Sequence, residues 1–275
     1  MTDGNEQFCH CHLHSDYSQL DGCCKVESYV QEADQRGNPA IALTEHGSMR
    51  SFFELHQQTK DTAVKPIYGI EFYIVEDMHR KGMTSEEKEQ GTKGMDKTKA
   101  KAVIKQRERD LNLRGSYHLT AWAKNETGLR NLFKLSSLGW TEGFYYRPRI
   151  DYNALADYMG GVAIGTACVT GIAAKLVEVG DTERAYQVMD MLYNLFGADL
   201  WLEGQARGRG QAVCHLYGAI HAGVVFVRYC PELLFSVVHA CAAGYCRRPD
   251  DSLVAKPAAG QLPQGQARFC QRYMG

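Results

Sequence analysis

The sequence predicts an α/β fold made of repeated strand–helix units, and three observations carry that prediction. Short apolar runs are each followed by a polar or glycine-bearing turn and then by a helical pattern. Metal-ligand residue types recur at or just beyond the ends of those apolar runs. One long charged insert interrupts an otherwise regular alternation. Together they point to a parallel sheet or a barrel of βα units.

The elements follow in order. "FCHCHLHSDYSQLDGCC" (8–24) places His12 and His14 one strand period apart, so both face one side of an extended segment. "PAIALTEHG" has an apolar stretch, Ile41, Ala42 and Leu43, that ends in Thr44, Glu45 and His46. "SMRSFFELHQQTKD" follows, with Met49, Phe52, Phe53 and His56 near helical spacing. "VKPIYGIEFYIV" is β-branched and aromatic and holds Glu71 in its middle. "GSYHLTAWAKN" alternates as a strand around His118, and "TGLRNLFKLSSLGW" is an amphipathic helix with a core stripe of Leu129, Leu132, Phe133, Leu135 and Leu138. "GGVAIGTACVTG" is a glycine-flanked strand leading to Cys168. "TERAYQVMDMLYNLFG" is a helix with Ala185, Val188, Met191, Leu192 and Leu195 along one face, and "ADLWLEG" closes the series as a strand.

Composition narrows the class. The chain has 275 residues, with 44% hydrophobic and 23% charged, as in an ordinary globular protein. A net charge of −1 provides no global field for nucleic acid, so any such contact has to be local. The N-terminus has neither a basic nor an apolar leader region, and no apolar run is long enough to span a membrane. A cytoplasmic location with no membrane partner is therefore expected, and there the ten cysteines are thiols or metal ligands before they are disulfides.

Two regions depart from the pattern. The insert at 77–115 is rich in Lys, Glu and Arg; residues 79–114 hold eleven Lys/Arg against six Asp/Glu, an excess of five positive charges. It reads first as a solvated, partly helical or mobile excursion, and after that as a basic arm able to meet phosphates; the two are compatible. A second break falls after Gln205. Residues 206–275 carry seven Arg but one Lys, three acidic residues and half of the cysteines. A first domain at 1–205 and an atypical tail at 206–275, out of frame or disordered, are expected.

The candidate site gathers His12, His14, His46, Glu71, His118 and Cys168 from separate units. In a βα barrel the C-terminal strand ends build the active site. A mixed imidazole and carboxylate set suits Zn, Mn or Fe and is too nitrogen-rich for a Mg or Ca cage. A cluster of such ions generates hydroxide and clamps the attacking and leaving oxygens of a phosphoester. Taken alone, the His-x-His pair is equally consistent with exposed or core histidines. Cys9, Cys11, Cys23 and Cys24 fit a zinc knuckle poorly, because CxC beside CC departs from the usual C-x2–4-C spacing. His10 is expected at the surface, as are His56 and His79. "FYYRPRID" interleaves Tyr145 and Tyr146 with Arg147 and Arg149, either to stack bases and meet phosphate or to pack its rings on the barrel. There is no glycine-rich phosphate loop and no Ser–His–Asp pattern.

Six segments in order, "HLHSDYSQLDG", "LTEHG", "PIYGIEFYI", "YHLTAWAKNETGLRNLFKLSS", "TEGFYYRPRID" and "AIGTACVTG", resemble the PHP domain of bacterial and phage DNA polymerase III alpha subunits over about 12–203. The resemblance implies a distorted (β/α)7 barrel, here incomplete at its C-terminal end. It implies two or three Zn, Mn or Fe ions held by His12, His14, Asp21, His46, Glu71, His118 and Cys168, with Glu71 bridging and His14, Glu71 and His46 serving catalysis. Glu45 stands where the family more often has aspartate. The family also closes its site with Asp-x-His, and none follows Glu203 in this sequence. The resemblance implies a metal-dependent phosphoesterase or 3′–5′ exonuclease acting on single-stranded 3′ ends of DNA in replication, alongside polymerase or other replisome components. Two alternatives stand beside it: a catalytically inactive scaffold for a replicative polymerase, and a free-standing phosphoesterase like histidinol phosphatase. The chain is too short to include palm, fingers and thumb, so by itself it is not expected to synthesise DNA.

Overall fold

The computed structural model describes residues 9–110, 115–206, 212–213 and 224–228, with side chains described for 9–107 and 115–203. The helices are α1 (Val26–Gln35), α2 (Phe52–Thr59), α3 (Ser85–Gln90), α4 (Lys97–Asp110), α5 (Glu126–Thr141), α6 (Tyr152–Asp157), α7 (Ile172–Glu178) and α8 (Thr182–Phe196). The strands are β1 (Ala40–Leu43), β2 (Lys65–Val75), β3 (Tyr117–Ala123), β4 (Arg149–Asp151), β5 (Val162–Gly165), β6 (Leu200–Ala206), β7 (Ala212–Val213) and β8 (Val224–Arg228). They form one mixed sheet in the order β1-β2-β3-β5-β6-β7, with β4 also on β2 and β8 also on β6. The sheet curls into part of a barrel, in keeping with the expected incomplete PHP-type architecture. Most expectations for the tail lie outside the described residues, although β7 and β8 both pair with β6 in antiparallel fashion.

Strand direction is where the structure departs from simple βα repetition. Pairs β1–β2, β2–β4 and β5–β6 are parallel, but β3 runs antiparallel to both β2 and β5. The reversal between β2 and β3 falls at the insert. A parallel crossover needs a helix that packs an apolar face onto the sheet. Helix α3 buries no residue, and the side chains of Lys97, Lys99, Lys101, Lys105 and Arg107 on α4 are exposed. Across this insert the chain doubles back, and Ile74 pairs with Tyr117. The insert is thus the elaborated loop of a hairpin, opened by a capping box in which Thr84 and Glu87 bind each other's backbone N–H.

Alternation along the strands separates two faces. Ile70, Phe72 and Ile74 of β2, Leu119 and Ala121 of β3, Ile164 of β5, and Leu200 and Leu202 of β6 turn outward. There they form the main core beneath Leu132 and Leu135 of α5 and Met189, Leu192 and Phe196 of α8. On α8 the buried set is Ala185, Met189, Leu192 and Phe196, one position round from the expected stripe. On α5 Phe133 is 37% exposed rather than core, with its ring edge-on to Phe52. Helix α5 sits close to the sheet because Gly128 has no Cβ; one added there would lie 1.8 Å from the Gly161 carbonyl oxygen.

The other face lines the barrel interior. The register aligns Gly69 with Trp122, Glu71 with Thr120 and Gly165, and Tyr73 with His118. A small apolar cluster of Ala42, Trp122 and Ala163, with Cys11, Ile67 and Trp201 packed on it, fills the first level. Two residues further along each strand the interior becomes polar, and that level holds the candidate site.

Candidate metal centre

Each candidate side chain reaches the interior for a local reason. Residues 10–13 run beside β1, with Ala42 N–H donating to the His10 carbonyl and Thr44 N–H to the Leu13 carbonyl. That extended pairing turns His12 and His14 the same way, and their Nε2 atoms lie 3.2 Å apart. His46 follows β1 and bridges to Glu71, with Gly47 N–H bound to the Glu71 carbonyl. Because β3 is antiparallel, His118 near its N-terminal end comes to the rim where the parallel strands end.

Glu45 does not face the histidine cluster. It is fully buried and accepts hydrogen bonds from Ser15 N–H, Ser15 Oγ and Ser18 Oγ, which pins the loop that carries Asp21. Leu20 completes that loop with φ of 70°, an uncommon conformation for leucine that sets Asp21 toward His46. Asp21 Oδ2 lies 2.9 Å from His46 Nε2 and 3.9 Å from His14 Nε2 at the exposed rim.

Glu71 is the hub. Its side chain is 1% exposed, and four imidazole nitrogens surround its two oxygens. His118 Nδ1 and His12 Nε2 lie 3.0 and 3.4 Å from Oε1; His46 Nδ1 and His14 Nε2 lie 2.7 and 3.4 Å from Oε2. These are ion-pair distances, yet neither Glu71 oxygen has a partner in hydrogen-bond alignment among the described residues, and neither has His46 Nδ1. Burying a carboxylate with no aligned donor is costly. Buried carboxylate and imidazole atoms gathered within 4.8 Å of one another suit a cation there.

Three overlapping groups bring ligand atoms within 4.8 Å of one another: His12, His14 and Glu71; His14, Asp21 and His46; His46, Glu71 and His118. The chemistry of this donor set fits Zn, Mn or Fe. None of the three groups contains a cysteine. Cys168 sits beside the cluster, its Sγ 3.7 Å from His118 Nδ1 and 2.9 Å from Thr170 Oγ1. Cys9 and Cys11 contact each other, and Cys23 and Cys24 are exposed. His10 is half-buried rather than surface-facing, and His56 Nδ1 pairs with the Tyr68 hydroxyl.

The aromatic and arginine segment divides. Arg149 is 2% exposed, and its guanidinium donates to the carbonyls of Gly143, Met78 and Arg80, so it braces the base of the insert instead of facing a ligand. Its guanidinium also lies over the Tyr145 ring, which is partly buried. Tyr146 and Arg147 are exposed, and Arg147 lies over Tyr73, whose ring stacks on His46. Sequence reasoning passed over Glu203 as a ligand-shell residue. Its side chain is buried, and its carboxylate lies 2.7 Å from His12 Nδ1.

Electrostatics of the cluster are uneven. Burial alone would lower His12 and His118. Contacts of His12 with Glu203 and Glu71, and of His118 with Cys168 and Glu71, outweigh it and raise them to about 10 and about 9. Burial and the neighbouring imidazoles His46 and His12 hold His14 down at about 4. Burial raises Glu71, but the surrounding imidazoles win and take it well below the usual carboxylate range. A metal binds neutral imidazole, so at pH 7 His14 is ready while His12 and His118 must first lose protons. Divalent-ion affinity is therefore expected to rise from pH 6.5 to 9 with net proton release. Titration calorimetry in buffers of different ionisation enthalpy reads both, and an affinity that stays flat or falls over this range would contradict the assignment.

A curled α/β sheet with a histidine–carboxylate cluster on its interior face defines a class of half-barrel with a candidate metal centre. The chain belongs to the PHP domain family, which matches residues 10–207. It is 33% identical over 204 residues to a DNA polymerase III subunit alpha of Aquifex aeolicus, covering 74% of this chain and 16% of that protein. The namesake proteins of Borreliella burgdorferi and Saccharopolyspora erythraea are 35% and 36% identical, over 74% and 70% of this chain and 15% and 16% of theirs. The chain thus spans about a sixth of the length of the curated relatives it matches.

Proposed function

We propose that this domain holds two divalent ions bridged by Glu71 and hydrolyses phosphodiesters at the 3′ ends of single-stranded DNA. The observation that carries the reading is the buried Glu71 carboxylate, ringed by four imidazole nitrogens with no aligned donor. A neutral imidazole serves one ion, and His14 turns the same Nε2 toward both Glu71 and Asp21, so the groups that share a histidine are taken as alternatives. The two groups sharing only Glu71 can both be filled, with His12 and His14 on one ion and His46 and His118 on the other. Each ion would then have three protein ligands and open positions for substrate.

Bound ions would supply charge neutralisation on the phosphoryl oxygens and an acidified water. The chain's own residues do the rest. Glu71 holds the two histidine pairs at fixed separation. Asp21 anchors His46 at the open rim; exposed Arg147 lies over Tyr73 and exposed Tyr146 is its chain neighbour, where a phosphate and an unstacked base would approach. Similarity to DNA polymerase III alpha subunits supports DNA as the substrate and replication proteins as partners.

The test is degradation of 3′-labelled and 5′-labelled single strands with Mn or Zn, set against release of inorganic phosphate from a small phosphomonoester. Shortening from the 3′ end that His14→Ala abolishes is expected. Phosphate release without strand shortening would instead make it a small-molecule phosphatase. A second reading, an inactive scaffold, is favoured by one observation: no Asp-x-His follows Glu203 in the sequence. Ion binding without turnover on either substrate would select it.

A further inference from the structure

We propose that Glu203 is a positioning residue for the metal centre, holding His12 with Nδ1 protonated and Nε2 turned toward Glu71 and His14. The inference rests on reading this cluster as a metal site and adds a residue that none of the three ligand groups contains. Glu203 is separated from His12 by 191 residues, yet its Oε2 lies 2.7 Å from His12 Nδ1, and its side chain is wholly buried. Its other oxygen, Oε1, accepts from the Thr120 hydroxyl and, at 2.8 Å, from Ala167 N–H.

Two strands and the loop after β5 are shaped around that carboxylate. Thr120 on β3 presents its hydroxyl. Gly165 on β5 leaves the space open, since a Cβ there would lie 2.2 Å from Glu203 Oε1 and 2.5 Å from Thr120 Oγ1. Ala167 takes φ of 58°, rare for a residue with a Cβ, while its N–H points at Glu203. With one carboxylate oxygen fixed by β3 and the loop after β5, the other holds the His12 imidazole. His12 Nε2 then lies 3.4 Å from Glu71 Oε1. A carboxylate on the far nitrogen of a ligating histidine fixes its tautomer and ring orientation, and losing it typically weakens metal binding about 10- to 100-fold.

The experiment compares wild type, Glu203→Gln, Glu203→Ala and His12→Asn in the full chain. In metal-free protein, an imidazole Nδ1–H correlation in proton–nitrogen NMR is assigned to His12 by its loss in His12→Asn. That signal is expected in wild type and lost or broadened in both Glu203 variants. Zn titration is expected to keep its stoichiometry and weaken about 10- to 100-fold. The isosteric Gln variant carries the test if Ala does not fold. An unchanged His12 signal and affinity in a folded Glu203 variant overturns the proposal. So does a lower Tm in Glu203→Gln with both readouts intact, which marks a brace between strands only. If wild type takes up no ion but the His12 signal still depends on Glu203, the metal reading fails while the positioning of His12 stands.

Discussion

Glu71→Gln is expected to remain folded and lose its ions. The carboxylate is the one group shared by the two proposed ion sites, and an amide can neither bridge two cations nor carry the charge that balances them. Lewis-acid stabilisation of a phosphoryl transition state is worth several kcal/mol. At about 1.4 kcal/mol per decade, losing about 4 kcal/mol lowers the rate of 3′-end cleavage about 10³-fold. The same substitution removes a thermal signature. At free ion 100 times Kd, binding stabilises the folded state by about 2.7 kcal/mol. That is a rise of about 5–10 °C in Tm for a domain of this size. Wild type should show the rise and Glu71→Gln should not. An equal rise in both would place the ion elsewhere.

Phe72→Ala is expected to do the reverse: a large loss of stability with the ion sites intact. Phe72 is adjacent to Glu71 in β2 but faces the opposite way, 1% exposed in the main core. Truncating a buried phenylalanine costs about 3–5 kcal/mol. That corresponds to a fall in Tm of about 6–20 °C. Thermal unfolding monitored by circular dichroism reads it, and the folded fraction should still bind ions. A cost below about 1 kcal/mol would mean that β2 does not present alternate faces to core and site as its register indicates.

That alternation was legible in the sequence because it is local. A carboxylate set in an apolar run has two strand faces to choose from, and Glu71 took the interior. The spacing of His12 and His14 was legible for the same reason, and the position of His46 just past an apolar run marked a strand end. Strand direction was not legible. Nothing in "SYHLTAW" tells parallel from antiparallel; only the pairing of Ile74 with Tyr117 across the insert shows it. Arg149 beside tyrosines looked like a phosphate contact, but three backbone carbonyls brought in by the fold enclose it. Glu203 marked the end of recognisable sequence, and its role depends on His12, at the other end of the domain. Cys168 was read as a ligand from its place in a motif. In the structure its thiol engages Thr170 beside His118, outside the three groups that converge.

The central claim is that Glu71 joins two ion sites. It is tested most directly by counting ions: elemental analysis of the purified, Zn- or Mn-equilibrated chain after removal of free metal. Two ions per chain in wild type, falling below one in Glu71→Gln, is the predicted result. Fewer than one ion per wild-type chain, or a count unchanged by the substitution, would contradict it.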